Sequence, residues 1–339
     1  MIYAKNEDNK NIDWWFIYKT PEGTGSHDNK GYQYLYYDDS TEKLALSAHS
    51  LDQESGALFH TLDSVFNSND PDQGYIVYND ERTDGGQNQG TKGHTKGVLS
   101  FNKKTNEAMI LLHSTPRFPA RGECTLPEEE RLYGQTYLCI SLEGYDAISN
   151  MAAMMLRHQN PQVLLVDSYL PDSIGSDEAL YHLYHQENIV ESHTPEHLIF
   201  HSKGGKEFRM IAKSKKWGED FWIDLVSPEL AVDINVESWR RGAVTESEDD
   251  KISKEEVEDV MAMSLAHLEL PTYAWKYTKD HSKWGVVADV DLAKGAWVCV
   301  ADINRMKSQE KRGGGAICFI DENLRNALNA TEAKLQIEP

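Results

Sequence analysis

The chain of 339 residues has few cysteines, a deficit of basic residues and no long apolar run. None of its four cysteines forms a C-x-x-C pair, which disfavours a zinc or redox motif. No apolar run reaches the roughly 18 residues that span a bilayer, and no basic start followed by an apolar segment marks a signal peptide. These absences predict a chain without a membrane span, with either a cytoplasmic or a mature, processed N-terminus.

The charge balance is acidic, because 34 Lys and Arg face 55 Asp and Glu and give a formal net charge of −21. A general nucleic-acid binder usually has a basic footprint, so this balance argues against one at neutral pH. Protonating all 13 histidines would change the balance to −21 + 13 = −8, and carboxylates begin to neutralise below about pH 5. An acidic working pH would therefore reconcile the chain with an anionic substrate.

The chain does contain ample core material and a long internal repeat. With 40% hydrophobic and 10% aromatic residues, its composition is that of a globular protein. TKGHTK at 91 to 96 recurs as TKDHSK at 278 to 283, and YGQTYLCI at 133 to 140 recurs as RGGGAICF at 312 to 319. Because these segments keep the same order, the repeat predicts two related halves.

The flanking segments of the two copies also correspond. Strand-like runs precede the first pair of segments, YIVYN at 75 to 79 and YAWKY at 273 to 277, and helix-like runs follow the second pair, at 146 to 158 and 322 to 335. The candidate first strands of the two halves are WWFIYK at 14 to 19 and HLIFHSK at 197 to 203. The candidate helices before the motif strands are LFHTLDSVF at 58 to 66 and FWIDLVSPEL at 221 to 230. We predict a mixed α/β fold in which each half is a mixed sheet flanked by helices. The predicted halves are residues 1 to 165 and 195 to 339, joined by a connecting segment from 166 to 194. The acidic stretch at 246 to 261 is interpreted as a solvated loop and an exposed helix.

Each repeated motif places a histidine two residues before a lysine. On a strand, residues i and i+2 point to the same face, so His94 projects with Lys96 and His281 with Lys283. Two-fold related halves could bring two imidazoles and two ammoniums around one cavity, which suits a phosphodiester. One imidazole would attack phosphorus to give a phosphohistidine, and the other would protonate the leaving oxygen while the lysines stabilise the developing charge. No metal is required, and the lysines should lower the histidine pKa values, which favours acidic pH.

Hairpin geometry in the first half predicts a further polar group at the site. If NKKTNE at 102 to 107 is a loop, Phe101 pairs with Ala108, and the same register places His113 opposite Lys96. Directly opposed residues share a face of the sheet. His113 is therefore a third candidate site histidine.

The same reasoning applied to the second half selects an asparagine. If LAKG at 292 to 295 is the loop, Asp291 pairs with Ala296 and Asn304 lies opposite Lys283. A slip of one residue would send this side chain to the other face. Agreement between the halves favours the chosen register.

Six segments of the chain resemble the deoxyribonuclease II family, whose members carry two His-x-Lys motifs on a phospholipase D-like pseudo-dimeric fold. They are DWWFIYK at 13 to 19, KGHTKGVL at 92 to 99, HSTPRFP at 113 to 119, YGQTYLC at 133 to 139, DHSKW at 280 to 284 and DINRMKSQEKRGGGAIC at 302 to 318. The longer phospholipase D pattern HxKxxxxD is absent, since Phe101 and Ala288 stand at its last position. The resemblance implies an acid endonuclease that cleaves double-stranded DNA without a metal or cofactor and leaves 3′-phosphate and 5′-hydroxyl ends.

The resemblance also implies residue roles. These are nucleophile His94, general acid His281, phosphate holders Lys96 and Lys283, further polar groups His113 and Asn304, and an orienting carboxylate Glu310. It implies a disulfide between Cys299 and Cys318, and leaves Cys124 as a substitute partner for Cys139. Disulfides and an acid optimum together favour a secreted, periplasmic or lysosome-like compartment. One chain would supply both half-sites, and further oligomerisation stays open.

Two other functions and one other kind of site remain. The first is a phospholipase D-type phosphodiesterase or phosphatidyl transferase, which would need an exposed apolar rim, and the second is a catalytically silent DNA-binding protein.

His193, His197 and His201 recur at helical spacing, but Pro195 interrupts them, so we interpret them as partners of carboxylates rather than metal ligands. The densest basic stretch offers candidate contacts to a DNA backbone, and a solvated face is an equally good interpretation of it. Its residues are Lys203, Lys206, Lys213, Lys215, Lys216, Arg240 and Arg241.

Overall fold

The computed structural model describes residues 1–241 and 255–330. The N-terminal part of the chain contains β1 (Ala4–Lys5), β2 (Asn11–Ile12), β3 (Trp14–Lys19), β4 (Tyr34–Asp38), β5 (Ala45–Leu46), α1 (Gly56–Phe66), β6 (Gly74–Tyr78), β7 (Gly97–Asn102), β8 (Glu107–His113), β9 (Gln135–Leu142), α2 (Tyr145–Met154) and α3 (Ala179–His185). The C-terminal part contains β10 (Glu196–His201), β11 (Glu207–Lys213), α4 (Ser227–Leu230), β12 (Ile234–Ser238), β13 (Val257–Asp259), β14 (Ala262–Leu265), β15 (Leu270–Lys276), β16 (Lys283–Val287), β17 (Trp297–Ala301), α5 (Lys307–Glu310), β18 (Gly314–Ile320) and α6 (Glu322–Ala330).

The two large sheets of the described residues have matching strand orders. One is β5-β4-β3-β9-β8-β7-β6 and the other is β10-β11-β18-β17-β16-β12-β13. β9, β8, β7 and β6 therefore correspond to β18, β17, β16 and β12, which confirms the predicted mixed α/β fold with a repeated arrangement. Each predicted first strand exists, but their places in the sheets differ, because β3 corresponds to the second strand β11 rather than to β10.

The packing of β3 illustrates how the two sheets share a core. Trp14, Phe16 and Tyr18 lie in the cluster that also contains apolar residues of the second sheet, whereas Trp15 and Ile17 lie in the outer cluster of the first sheet. This alternation is the period of a strand that is buried on both faces. The ring of Trp14 lies 5.1 Å from that of Phe319 in β18, so the sheets are in direct contact.

The first hairpin has the predicted register, and the second does not. Phe101 pairs with Ala108 as predicted. In the second half, Trp284 pairs with Val300, so Lys283 lies opposite Ala301 and not opposite Asn304. LAKG is not a hairpin turn, because residues 289–294 form a 3₁₀ helix that makes the connection longer.

The strand beside the second motif strand also differs from the prediction. β15, which contains most of YAWKY, pairs with β14 in a separate small sheet, and β12 pairs with β16 instead. The acidic stretch lies partly outside the described residues, and its described end forms strand β13 rather than a helix. The strand that pairs with β16 is therefore β12, which precedes the acidic stretch in the sequence.

The predicted helices are present in the described residues, with local irregularity. The predicted run 322 to 335 is helical as α6, and its part from 331 to 335 lies outside the described residues. α1 and α2 cover the predicted runs, and α2 continues as a π-helical turn over residues 155–159. The predicted helix from 221 to 230 is a π-helical turn over residues 222–226 that leads into α4. In the described parts of the chain, no helix is long and apolar enough to cross a membrane.

The four cysteines divide into one disulfide and two thiols. Cys299 and Cys318 face each other across β17 and β18 and are bonded, as the resemblance implied. Cys124 and Cys139 are buried and free, so their suggested pairing is wrong. Cys139 lies in the middle of β9, where its cross-strand neighbours are Trp15 and Leu111.

Candidate active site

Both repeated motifs lie where a sheet strand begins. Lys96 directly precedes β7, and Lys283 is the first residue of β16. His94 and His281 lie in the segments that lead into these strands, so the prediction that each motif lies on a strand is wrong for both histidines and for Lys96. Since β7 and β16 hold equivalent places in the two sheets, the motifs also occupy equivalent positions.

Each motif is held by a glycine of the opposite half. The His94 N–H donates to the carbonyl of Gly313 at 2.8 Å, and the His281 N–H donates to the carbonyl of Gly134 at 2.8 Å. Gly313 precedes β18 and Gly134 precedes β9, which are themselves equivalent strands. This reciprocal pair of hydrogen bonds joins the two motifs at one place.

Glycine is required at both positions by close contacts. A Cβ on Gly134 would lie 2.6 Å from Oδ1 of Asp280, and one on Gly313 would lie 2.3 Å from the carbonyl oxygen of Gln159. Neither contact is compatible with a side chain in the present backbone arrangement. The absence of a Cβ therefore allows the halves to approach each other here.

The motif side chains are buried and feel each other's charge. Lys96 is 2% exposed and Lys283 is 3% exposed. Burial, followed by the charge of Lys96, lowers the pKa of Lys283 to about 7. Burial, followed by the charges of Lys283 and Lys96, lowers the pKa of His281 to about 3. Groups from both halves therefore act on a single site.

The ring of His94 has polar partners on both nitrogens. Nδ1 hydrogen-bonds the carbonyl of Asp302, which can only accept, so Nδ1 carries the proton and Nε2 has the lone pair. Nε2 lies 3.5 Å from the carboxylate of Asp80. That carboxylate also pairs with Lys96 and, at 3.3 Å, with Arg312. Burial alone would raise the pKa of Asp80, but Lys96, the neighbouring His94 and Arg312 hold it well below its usual range.

The ring of His281 has aromatic neighbours instead. Tyr133 stacks on it with ring centroids 3.9 Å apart and planes 9° from parallel, and Trp239 contacts it with centroids 4.7 Å apart. Among the described residues, Nε2 of His281 has no hydrogen-bond partner although it is buried. This nitrogen is therefore available to a bound molecule.

The neighbours of the two histidines come from equivalent positions. Tyr78 pairs with the residue that follows Lys96, and Asp80 lies two residues after Tyr78. In the second half, Glu237 pairs with the residue that follows Lys283, and Trp239 lies two residues after Glu237. Likewise, the residue before each holding glycine is arginine in one half and tyrosine in the other. The two half-sites thus share a backbone plan and differ in chemistry.

Comparison with known proteins identifies the family of the chain. The family model described as deoxyribonuclease II matches residues 4–336. The chain belongs to the deoxyribonuclease II family. It is 42% identical over 339 residues to a putative deoxyribonuclease-2 of Burkholderia pseudomallei (strain 1710b), covering 98% of this chain and 92% of that protein. It is 31% identical over 343 residues to plancitoxin-1 of Acanthaster planci (99% and 92% covered) and 30% identical over 319 residues to deoxyribonuclease-2-alpha of Rattus norvegicus (91% and 86% covered).

Membership of the deoxyribonuclease II family makes the chain a nuclease of the hydrolase class with a phospholipase D-like fold. Phe101, at the last position of the longer phospholipase D pattern, is buried in the shared core and offers no polar group. Ala288, at the same position of the second copy, follows β16 directly. The resemblance read from the sequence is therefore confirmed at the level of the family.

The pKa values of the site histidines are lowered in this nuclease, in the direction predicted from the lysines. The pKa of His94 is well below its usual value, and that of His113 is about 3. Burial is the largest cause for both, and the charge of Lys96 is the second. The prediction gave the direction correctly and missed the larger cause.

His113 lies beside Lys96, as the first hairpin predicted. It is the last residue of β8, and its N–H donates to the Lys96 carbonyl at 3.2 Å. Its ring stacks near Tyr137 and meets the edge of Phe118, with centroids 5.9 Å away in both cases. Among the described residues, its buried Nε2 has no hydrogen-bond partner.

Asn304 and Glu310 lie in the segment between β17 and β18. Asn304 is 4% exposed, and its Oδ1 finds no hydrogen-bond partner in the described chain. Asn304 is two residues after Asp302, whose carbonyl accepts a hydrogen bond from the His94 ring. It therefore lies near the site, although the predicted pairing with Lys283 is wrong. Glu310 ends α5, and its carbonyl accepts a hydrogen bond from Lys213 at 2.8 Å.

Two of the candidate DNA contacts are buried, and His197 pairs with a carboxylate. Lys213 is fully buried and donates to three main-chain carbonyls, and Arg240 is 6% exposed, so their assignment as surface contacts is wrong. His197 lies 2.9 Å from Glu229, which agrees with the interpretation as a carboxylate partner.

Four residues around the site were not found from the sequence: Asp80, Tyr133, Trp239 and Arg312. The repeat itself carried a signal for two of them, since the matched segments begin with Tyr133 and Arg312. Asp80 and Trp239 could not be matched, because the strand preceding the second motif was wrongly identified.

Proposed function

We propose that this nuclease is an acid endodeoxyribonuclease that hydrolyses the phosphodiester bonds of double-stranded DNA without a metal. The observation that carries the proposal is the reciprocal attachment of His94 and His281 to glycines of the opposite half. It brings two imidazoles and the ammoniums of Lys96 and Lys283 to one buried site. That set supplies a nucleophile, an acid and two cations for a phosphodiester.

In the proposed mechanism, Nε2 of His94 attacks phosphorus. The N–P bond forms while the bond from phosphorus to the 5′ oxygen breaks, and His281 gives its proton to that oxygen. Water then attacks phosphorus, gives a proton to His281 and releases His94. The products have 3′-phosphate and 5′-hydroxyl ends, and Lys96 and Lys283 stabilise the charge on the non-bridging oxygens in both steps.

The remaining predicted residues have supporting roles in this proposal. His113 orients Lys96, with which it is joined through the main chain at 3.2 Å. Asn304 adds a polar group beside the segment that fixes His94, and Glu310 helps to shape the loop before β18. We further propose that residues 1 to 165 and 195 to 339 are the two half-site domains, with 166 to 194 connecting them.

An acidic optimum follows from the charge state of His281. Its pKa of about 3 in the free protein leaves little of the protonated acid at mildly acidic pH. A bound phosphodiester places a negative charge beside the ring and raises this pKa. Proton uptake then accompanies substrate binding, which favours activity in acid and fits a secreted, periplasmic or lysosome-like compartment.

The test is cleavage of supercoiled plasmid DNA in EDTA at about pH 5 and about pH 8. Wild-type protein should cut at the lower pH, and His94→Ala should not. His197→Ala is the matched control and should retain full activity. His197 lies on the edge strand β10 and pairs with Glu229 of α4. A requirement for Mg²⁺, or a maximum at or above about pH 8, would contradict the proposal.

A further inference from the structure

A carboxylate lies directly at the nitrogen that would attack phosphorus. Oδ2 of Asp80 is 3.5 Å from Nε2 of His94 and 3.3 Å from Nη1 of Arg312, and its other oxygen pairs with Lys96. The Asp80 side chain is only 11% exposed. An ammonium and a guanidinium around one anion are groups that proteins use to hold phosphate, and Nε2 of His94 lies beside them.

We propose that Asp80 is a built-in competitor for phosphate, whose carboxylate occupies the place of the scissile phosphate's non-bridging oxygens. This inference rests on the proposed role of His94 as nucleophile. Two anions cannot share the same cations at contact distance without strong repulsion. Asp80 must therefore leave Lys96 before a phosphodiester can bind, and it sets the affinity of the site for phosphate.

The main chain on both sides of Asp80 is fixed, so its side chain alone must move. The preceding residue, Asn79, is fully buried and donates to the carbonyls of Thr115 at 3.1 Å and Phe118 at 2.9 Å. The following residue, Glu81, donates its N–H to Oδ1 of Asn79 at 3.0 Å. A rotation of the Asp80 side chain exposes the cations without moving the strand end.

Arg312 stays in place when the carboxylate leaves. The Arg312 guanidinium also donates to the main-chain carbonyls of Lys92 at 3.2 Å and Gly93 at 3.0 Å. These bonds hold it beside the first motif independently of Asp80. The released site is therefore already arranged for an incoming phosphate.

Within the described residues, the position equivalent to Asp80 in the second half carries no carboxylate. At the position equivalent to Asp80, the second half has Trp239, which contacts the ring of His281. An indole does not compete with phosphate for the neighbouring lysine. Release of Asp80 is thus coupled to occupation of the His94 half-site.

The test is isothermal titration of the full chain with inorganic phosphate at one fixed acidic pH. Asp80→Asn keeps the shape of the side chain and removes its charge, and it should bind phosphate about tenfold or more tightly than wild type. Glu81→Gln is the matched control: the adjacent carboxylate is 35% exposed and pairs with Arg117 at 3.0 Å. Its phosphate affinity should equal that of wild type.

Unchanged or weaker phosphate binding by Asp80→Asn would overturn the inference, because a residue that only positions Lys96 would weaken the site when altered. Asp80→Ser serves as a second variant with the same expected gain, and each variant is first checked for a cooperative thermal transition. The titration does not depend on turnover. Failure of wild-type protein to cleave DNA would therefore overturn the proposed function, whereas intact cleavage with unchanged phosphate affinity would overturn this inference alone.

Discussion

At the residue scale, the ring of His281 is oriented by stacking. Tyr133 lies nearly parallel to it at 3.9 Å, and Trp239 covers it at an angle of 55°. His94 is instead oriented by a hydrogen bond from Nδ1 to the Asp302 carbonyl. Among the described residues, stacking orients the ring of His281 without a hydrogen bond to its buried Nε2.

Replacing Tyr133 with leucine should lower kcat more than it changes KM. An aromatic pair contributes about 0.5–1.5 kcal/mol beyond burial, which corresponds to a roughly 2- to 10-fold loss in kcat. Steady-state cleavage of a short DNA duplex at acidic pH measures both constants. Tyr133→Phe keeps the stack and should retain nearly all activity, so an equal loss in both variants would show that the hydroxyl, rather than the stack, is what matters.

At the element scale, the loops before β9 and β18 hold the two motifs through Gly134 and Gly313. Two buried lysines in equivalent positions anchor these loops. Lys19 pairs with the residue after Gly134, and Lys213 pairs with the residue after Gly313. Each ammonium donates to three main-chain carbonyls, including that of Arg131 or Arg312. The repeat therefore includes the support of the site as well as the motif itself.

A methyl group at Gly134 should damage both stability and activity. It would lie 2.6 Å from Asp280, whose carboxylate is held by Tyr18 and Trp275 at 2.6 Å each and cannot easily move away. Overpacking of this kind costs about 1–3 kcal/mol of unfolding free energy. Urea unfolding of Gly134→Ala measures the loss, and the same preparation should cleave DNA more slowly, since the carbonyl that holds His281 is displaced.

Gly90→Ala is the control for this substitution. Gly90 is exposed, and an added Cβ there would meet nothing within 4 Å. Its unfolding free energy should stay within about 0.5 kcal/mol of wild type. Equal stability and activity of the two alanine variants would contradict the role given to the close approach at Gly134.

The same elements explain how much the sequence could predict. The register that places His113 beside Lys96 follows from the short connection between β7 and β8, and it was correct. The corresponding connection in the second half contains a 3₁₀ helix over residues 289–294, and its composition resembles a simple turn. Local signals therefore failed for Asn304.

Long-range pairing limited the prediction further. β16 pairs with β12, from which it is separated by β13, β14, β15 and the segment around them. Sequence proximity favoured YAWKY instead, so Trp239 could not be matched with Asp80. The family, the two motifs and the Cys299–Cys318 bond were accessible because each depends on a short pattern or on a match over the whole chain.

At the scale of the whole molecule, the buried histidines should make stability depend on pH. The pKa values of His113 and His281 fall from 6.5 to about 3 on folding, mainly because of burial. Between these two values the unfolded chain binds more protons than the folded one. Their contribution to stability is therefore complete above about pH 6.5 and is lost as the pH falls toward about 3.

His113→Gln should reduce this acid sensitivity. Glutamine does not titrate, and its oxygen can replace Nδ1 as the acceptor for the Thr115 N–H. The loss of unfolding free energy between about pH 7.5 and about pH 4.5 should be smaller than in wild type by on the order of 2 kcal/mol. Urea unfolding at the two pH values measures it, and an unchanged slope in His113→Gln would contradict the expectation.

The reciprocal bonds between each motif and the opposite half have a consequence for inheritance. In a homodimer of half-length chains, one gene encodes both half-sites, so every substitution appears twice and the two histidines must keep identical neighbours. A fused, duplicated gene removes this constraint while the glycine contacts keep the halves together. Two copies of one identical half could not place Asp80 beside one histidine and Trp239 beside the other. Because both half-sites lie in one chain, separate mutations can alter either side alone.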